Sequence, residues 1–270
     1  MKARRKTASL NLEKDLWNQG FQLVAGIDEA GRGPLAGPVC SAVVIFEPGV
    51  RITGVYDSKQ VEPEEREELF HKIQAKALAV GVGTACAEEI DQLNILRATK
   101  LAARRALRQL AIMPDYLLLD ALILDKVTLP QTAITKGDAR SFSIAAASIV
   151  AKVTRDRLMI QCAEQFPGYG FENHKGYGTP THRRRIAELG RSTLHRHTFL
   201  ESWFETDPLQ NSRFFQDRLR DLNTCGCAEE IHEILRLVRE QKAWLPVCEW
   251  QRLQEMAKAC AEALMDASSD

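Results

Sequence analysis

Two short apolar runs constrain this chain most, because an aspartate cuts each of them off. Leu23-Val24-Ala25-Gly26-Ile27 stops at Asp28, and Tyr116-Leu117-Leu118-Leu119 stops at Asp120. Runs of this length and composition read as buried strands. In open sheets, ligands gather in the crevice beyond the strand C-termini. Were the two strands neighbours, the two carboxylates would lie side by side. Ionised carboxylates at close range repel and need a compensating cation, and a hard divalent ion with oxygen ligands supplies one. Glu29 adds a third carboxylate, and Asp138, in Lys136-Gly137-Asp138, adds a fourth just before a small-residue helix. Taken singly, an acid at a strand end is more often a solvated turn or a helix cap than a ligand. The chemistry needs all four to converge.

Around these runs the pattern alternates. Residues 39–46 form a second strand rich in β-branched side chains, and residues 80–87 a third. Pro63 followed by Glu64, Glu65 and Glu67 opens a helix running to about residue 79. Residues 88–110, Ala/Leu/Arg-rich and without Gly or Pro, are expected as one long helix. A short strand at 132–136, a helix at 141–165, a Gly/Pro/aromatic loop at 166–180 and a helix at 181–189 follow. Strands first and alternating helices later predict an α/β or α+β domain of three layers on a central mixed sheet. Beyond about residue 207 the character changes. Ile231, Ile234, Leu235 and Val238, then Trp250, Leu253, Met256, Cys260 and Leu264, fall at helical spacing. They predict a helical C-terminal extension, 207–270, joined to a 1–206 catalytic domain through a linker containing Pro208.

Several classes are excluded. In GIDEAGRGPLAGPV the glycines Gly31, Gly33 and Gly37 do not match a dinucleotide fingerprint, and no Gly-Lys-Ser/Thr ending marks a P-loop. Gly31-Arg32-Gly33 reads as a tight turn or as backbone able to approach a ligand closely. No apolar run reaches the roughly 18–20 residues of a membrane helix, and the basic N-terminus lacks the apolar core of a secretory signal. A cytoplasmic location without membrane contact is expected. The seven cysteines show no framework spacing, which points to reduced thiols. Cys225-Gly-Cys227 with His232 lacks a fourth zinc ligand at a familiar distance. The net charge is zero, but residues 201–270 carry 8 basic and 14 acidic residues, net −6, leaving +6 on residues 1–200. A polyanion-binding body with an acidic tail fits that asymmetry.

GIDEAGRGPLAGPV, Asp57-Ser58-Lys59, the run ending in Asp120, KGD at 136–138, AAASIVAKVTRD at 145–156 and HKGYGT at 174–179 together resemble bacterial ribonuclease HII, in that family's order, across roughly residues 20–200. The resemblance implies a ribonuclease H-like fold. It also implies endonucleolytic cleavage of RNA in RNA/DNA hybrids, and nicking 5′ of a single ribonucleotide in duplex DNA. Asp28, Glu29, Asp120 and Asp138 resemble the four metal-site acids. Gly31, Arg32 and Gly33 resemble the loop that senses the ribose 2′-hydroxyl, and Tyr177 the tyrosine that packs at the ribo-to-deoxyribo junction. Lys59 and Lys152 resemble phosphate or site-supporting contacts. The implied cofactors are two Mg2+ or Mn2+ ions that activate water and stabilise the leaving 3′-oxygen, giving 3′-hydroxyl and 5′-phosphate ends. The absence of a long N-terminal extension favours type 2 over type 3. The partners expected are hybrid and ribonucleotide-containing duplex; the chain is expected to be a monomer, with its C-terminal extension open to a protein partner. Another ribonuclease H-superfamily nuclease, such as a resolvase or integrase, and a non-catalytic hybrid binder remain as alternatives.

Arg97, Lys100, Arg104 and Arg108 line one helix face at spacings of 3, 4 and 4. A solvated face accounts for them more simply than a DNA contact. Residues 172–197 carry six Lys/Arg against two acids, with His174, His182, His195 and His197 interleaved. Nucleic-acid contact is the alternative to a surface loop there.

Overall fold

The computed structural model describes residues 7–200, 213–240 and 247–267. The linker expected around Pro208 and the 206/207 boundary lie outside these residues, as do the side chains of Cys248 and Leu264. The chain divides into two compact units, Met1–Gly33 with Pro38–Met159, and Pro34–Gly37 with Ile160–Asp270.

The first unit is built on a sheet of five strands: β1 (Val24–Ala30), β2 (Val39–Ile45), β3 (Ala79–Ala85), β4 (Tyr116–Asp120) and β5 (Gln131–Ile134), in the order β3-β2-β1-β4-β5. β2 runs antiparallel to β1 and β3, whereas β4 runs parallel to β1 and β5. The sheet is therefore mixed, as expected. Its helices are α1 (Asn11–Asn18), α2 (Pro63–Lys76), α3 (Ala87–Leu93), α4 (Ile95–Arg108), α5 (Gly137–Arg140) and most of α6 (Phe142–Gln165).

Successive residues of a strand face opposite ways, and here both faces are covered. Ala25, Ile27, Val43, Ile45, Leu117 and Leu119 pack on Ala103, Ala106 and Leu107 of α4. On the other face, Ala42 and Val44 meet Ala145, Ala146 and Ile149 of α6 and Leu69 and Ile73 of α2. Val24, Leu118 and Ile134 meet Ile144 of α6 and Leu16 of α1. Three layers result. With both faces covered, β2 is buried at every position and reads as an unbroken apolar run. The small side chains of α6 let it approach β1 so closely that a Cβ on Gly26 would overlap the Ser143 backbone.

Four local features depart from the sequence expectation. β1 does not stop at Asp28 but continues through Glu29 to Ala30, because β2 pairs with it up to Ala30↔Cys40. The single helix expected over 88–110 is two helices, α3 and α4. Asn94 breaks them apart at φ 67 and restarts α4 by accepting the Arg97 N–H at 3.1 Å; asparagine tolerates positive φ and is a strong N-cap. β5 ends at Ile134 rather than near 136, and Lys136 turns the chain at φ 55. α1 was not anticipated. Its fully buried Glu13 accepts from Ser141 Oγ at 2.6 Å and from the Ser143 N–H at 2.9 Å, which pins α1 to the start of α6.

The second unit contains the end of α6, then α7 (Phe171–His174), α8 (Pro180–Leu189), α9 (Arg213–Thr224), α10 (Ala228–Glu240) and α11 (Val247–Ala267). Helices α10 and α11 are those expected from apolar spacing, and α9 is additional. Phe215, Leu222, Ile231, Ile234, Val238, Leu253 and Ala257 close a separate small core between the three. No helix among the described residues is long and apolar enough to cross a membrane. No disulfide joins the described cysteines.

Candidate active site

The parallel pairing of β1 and β4 sets the site. The register runs Val24↔Tyr116 to Ile27↔Leu119, so Asp28 and Asp120 follow as the next residues on neighbouring strands. Both share the face of Gly26 and Leu118, which is the α6 side. Asp138 joins them from α5, after the turn at Lys136, and the Gly137 N–H donates to Asp120 Oδ1 at 2.8 Å. One carboxylate oxygen from each of Asp28, Asp120 and Asp138 lies within 4.8 Å of the others.

The electrostatics of this cluster are unfavourable without a cation. Burial raises the Asp28 carboxyl well above its ordinary pKa, and the charges of Glu29 and Asp120 add to the rise. Asp138 is also raised, by burial and by the nearby charges of Asp57 and Asp120. All donors are hard carboxylate oxygens, with no thiolate or imidazole in the cluster. That donor set fits Mg2+ or Mn2+ better than a softer metal.

Glu29 is one residue out of phase. It shares the face of Ile27, and its carboxylate is outside the close cluster, taking Arg32 Nη1 at 3.1 Å instead. Its backbone N–H donates to Asp28 Oδ1 at 2.7 Å. Burial raises the Glu29 pKa, Arg32 and Lys59 oppose the rise, and Asp120 adds to it, so Glu29 still shares the field of the cluster.

The glycine loop continues directly from β1. Gly31 sits at φ +94, and a Cβ there would overlap the Arg155 guanidinium and approach the Pro38 carbonyl oxygen to 2.8 Å. Arg155 is fully buried, and its Nε–H donates to that same carbonyl at 2.9 Å. Gly33, by contrast, faces open space. Lys59 lies on a 3-10 turn, Ser58–Gln60, capped by Asp57. Its charge favours the ionised forms of both Glu29 and Asp138. A 2.8 Å hydrogen bond from Ser148 Oγ to Ser58 Oγ ties this turn to α6. The Lys152 ammonium pairs with Asp156 at 2.7 Å. Tyr177 belongs to the second unit, where it is exposed. In the basic stripe of α4, Lys100 pairs with Asp125.

Sequence reasoning missed Arg155, Ser148 and Asp57 as supports of the site. Arg155 and Ser148 both lie within AAASIVAKVTRD. A serine and an arginine seven residues apart, hence on one face of the small-residue helix, were the available signal.

The ribonuclease HII family model matches residues 25–202. The ribonuclease HII of Geotalea uraniireducens is 54% identical over 190 residues, covering 70% of this chain and 88% of that protein. The ribonuclease HII of Bacillus licheniformis is 52% identical over 192 residues, covering 71% of this chain and 75% of that protein. Among solved structures, the ribonuclease H2 of Pyrococcus horikoshii is 29% identical with a TM-score of 0.53, covering 68% of this chain and 88% of that one. The ribonuclease HII of Archaeoglobus fulgidus, solved as a complex with PCNA, is 28% identical with a TM-score of 0.51, covering 68% and 89%. With its ribonuclease H-like mixed sheet and the acidic cluster at the end of β1 and β4, the chain belongs to the ribonuclease HII family of endonucleolytic hydrolases.

Proposed function

We propose that this chain hydrolyses the RNA strand of RNA/DNA hybrids and nicks duplex DNA 5′ of a single embedded ribonucleotide, leaving 3′-hydroxyl and 5′-phosphate ends. The observation that carries this is the convergence of Asp28, Asp120 and Asp138 within 4.8 Å on one face of the sheet in a chain of this family. Asp28, Asp120 and Asp138 would hold Mg2+ or Mn2+, with Glu29 as a further carboxylate at the edge of the set. When bound, two such ions supply an activated water and charge stabilisation for the leaving oxygen.

The residues around the acids divide the remaining work. The backbone of Gly31-Arg32-Gly33, held open by Arg155 under Gly31, suits a hydrogen bond to the 2′-hydroxyl, the one group that distinguishes RNA from DNA at such a site. Arg32 is held beside Glu29, and Lys59 offsets the local negative charge. Tyr177 offers an exposed aromatic face suited to stacking on the sugar-base step after the ribonucleotide. Lys152 is assigned to supporting the site through Asp156. Residues 1–206 would form the catalytic domain. The extension 207–270, with its own apolar core and a net charge of −4 (8 basic and 12 acidic residues), is better suited to a protein partner than to a phosphate backbone.

The test is a metal titration on a duplex carrying one ribonucleotide, with an all-DNA duplex as control. Nicking at the ribonucleotide that requires Mn2+ or Mg2+ is expected. Metal-independent nicking, or equal nicking of the all-DNA duplex, would overturn the assignment.

A further inference from the structure

The loop that carries Tyr177 rests on a buried pair of histidines that the chemistry above does not use. His182 and His195 are 0% and 1% exposed, and their Nε2 atoms lie 3.1 Å apart. A hydrogen bond between two neutral imidazoles needs a proton on one of the facing nitrogens, and the neighbours decide which. His195 Nδ1 faces the Ser192 backbone N–H at 2.9 Å, so it accepts, and its own proton sits on Nε2. His182 Nε2 therefore accepts from His195, and His182 carries its proton on Nδ1. That Nδ1–H donates to the Tyr177 carbonyl at 2.9 Å. One direction of donation thus runs from Ser192 through His195 and His182 to the backbone of Tyr177.

The other polar groups of the loop are also tied down. The Tyr177 N–H donates to the His174 carbonyl at 2.9 Å, and the His174 ring stacks on His182 with centroids 4.1 Å apart. The Gly176 N–H donates to His174 Nδ1 at 3.2 Å. The Gly176 carbonyl accepts the Leu35 N–H at 2.9 Å, and fully buried Arg196 donates to the Gly37 carbonyl at 2.8 Å, all within the second unit. Burying two imidazoles costs more than burying apolar rings, so their presence calls for a function that apolar packing alone would not serve. A fully satisfied polar network specifies one backbone geometry. Here it anchors the backbone of a tyrosine that is itself 41% exposed.

We propose that His182 and His195 are positioning residues, which hold the Tyr177 carbonyl so that its ring meets the ribo-to-deoxyribo junction in one orientation. The proposal rests on the reading of Tyr177 given above.

The experiment is a double-mutant cycle on the full chain with Mn2+, measuring kcat and KM on a single-ribonucleotide duplex and on a uniform RNA/DNA hybrid. His182→Leu is expected to lower kcat/KM on the single-ribonucleotide duplex by about three- to tenfold, the scale of one hydrogen bond, and to affect the uniform hybrid less. His182→Asn places an amide N–H near the Nδ1 position and is expected to recover most of the loss. In a Tyr177→Ala background, His182→Leu is expected to have no further effect, because it acts through Tyr177. Equal, additive losses on both substrates in both backgrounds would show a merely structural role and overturn the proposal. If Tyr177→Ala leaves both substrates unaffected, the reading of Tyr177 fails, and the proposal with it, while the metal site stands or falls on its own test. His195→Phe, which keeps a ring in the same space, carries the same cycle if His182→Leu does not fold.

Discussion

Asp28 and Asp120 stand side by side because Ile27 pairs with Leu119 in parallel register, one residue before each aspartate. A slip of one residue in either strand would send one of the two carboxylates to the opposite face. Two of the three clustered acids thus owe their juxtaposition to the register of a single strand pair.

The acidic cluster should trade stability for chemistry. Asp28→Asn removes a buried charge that Glu29 and Asp120 both oppose. The metal-free variant should therefore melt higher than the wild type, by roughly 2–4 °C for each kcal/mol relieved. Its cleavage of a single-ribonucleotide duplex should fall by on the order of a thousandfold, as expected when a metal clamp is lost. Mn2+ should raise the melting temperature of the wild type by mass action and that of the variant much less. An undiminished metal-induced shift in Asp28→Asn would show that the ion binds elsewhere.

The glycines of the site should respond unequally to alanine. Gly31→Ala must place a Cβ at φ +94 into the Arg155 guanidinium. It should cost about 1–3 kcal/mol through strain and overpacking and reduce nicking sharply. Gly33→Ala meets open space and should leave the melting temperature within about 1 °C. Gly26→Ala, facing the Ser143 backbone, should destabilise the β1–α6 contact most, since neither backbone can yield. Melting curves for the three variants test this order, and equal shifts at Gly31 and Gly33 would refute it.

Stability should fall on mild acidification because of the buried histidines. Burial lowers the His182 pKa to about 4 and that of His195 well below its ordinary value of 6.5. The unfolded chain takes up protons near pH 6.5 while the folded chain does not, so the contribution is fully present above pH 6.5 and is lost as pH falls toward 4. Thermal melts between pH 7.5 and about 4.5 should show a steeper decline for the wild type than for His182→Asn. Parallel curves would mean that the histidines do not carry the effect.

Glu89 should act in a more acid range, through a pKa lowered by pairing rather than by burial. Its carboxylate pairs with Arg105 at 2.7 Å and accepts the Cys86 N–H at 3.0 Å, which together lower its pKa to about 2. Stability from this group is present above about pH 4.5 and is lost as pH falls toward 2. The pair is partly exposed, so solvent screening holds its contribution to about 1 kcal/mol or less. Glu89→Gln should lower the melting temperature slightly at pH 7 and make no difference near pH 2, which a pair of melting curves would check.

Part of the acidic cluster is legible in the sequence. Asp28 and Asp120 announced themselves by cutting off two apolar runs, and α6 by its small residues. The break at Asn94 was not legible, because asparagine is tolerated inside a helical pattern and only its backbone angles show the cap. Glu13 was hidden for another reason. An acid near the N-terminus reads as solvated, and its burial depends on Ser141 and Ser143, which lie far away in the chain.

By itself the sequence determined the buried strands and most of the helices, though not α1, α9 or the break at Asn94, and where carboxylates, glycines and a tyrosine stand along the chain. Side-chain periodicity and local backbone preference act over neighbouring residues, so they can be read from the sequence. Tertiary structure decided that β1 lies beside β4, that Asp28, Asp120 and Asp138 share a face while Glu29 does not, and that Arg155 fills the space beneath Gly31. Those outcomes depend on strand order, register and close packing between residues far apart in sequence, which no local pattern encodes.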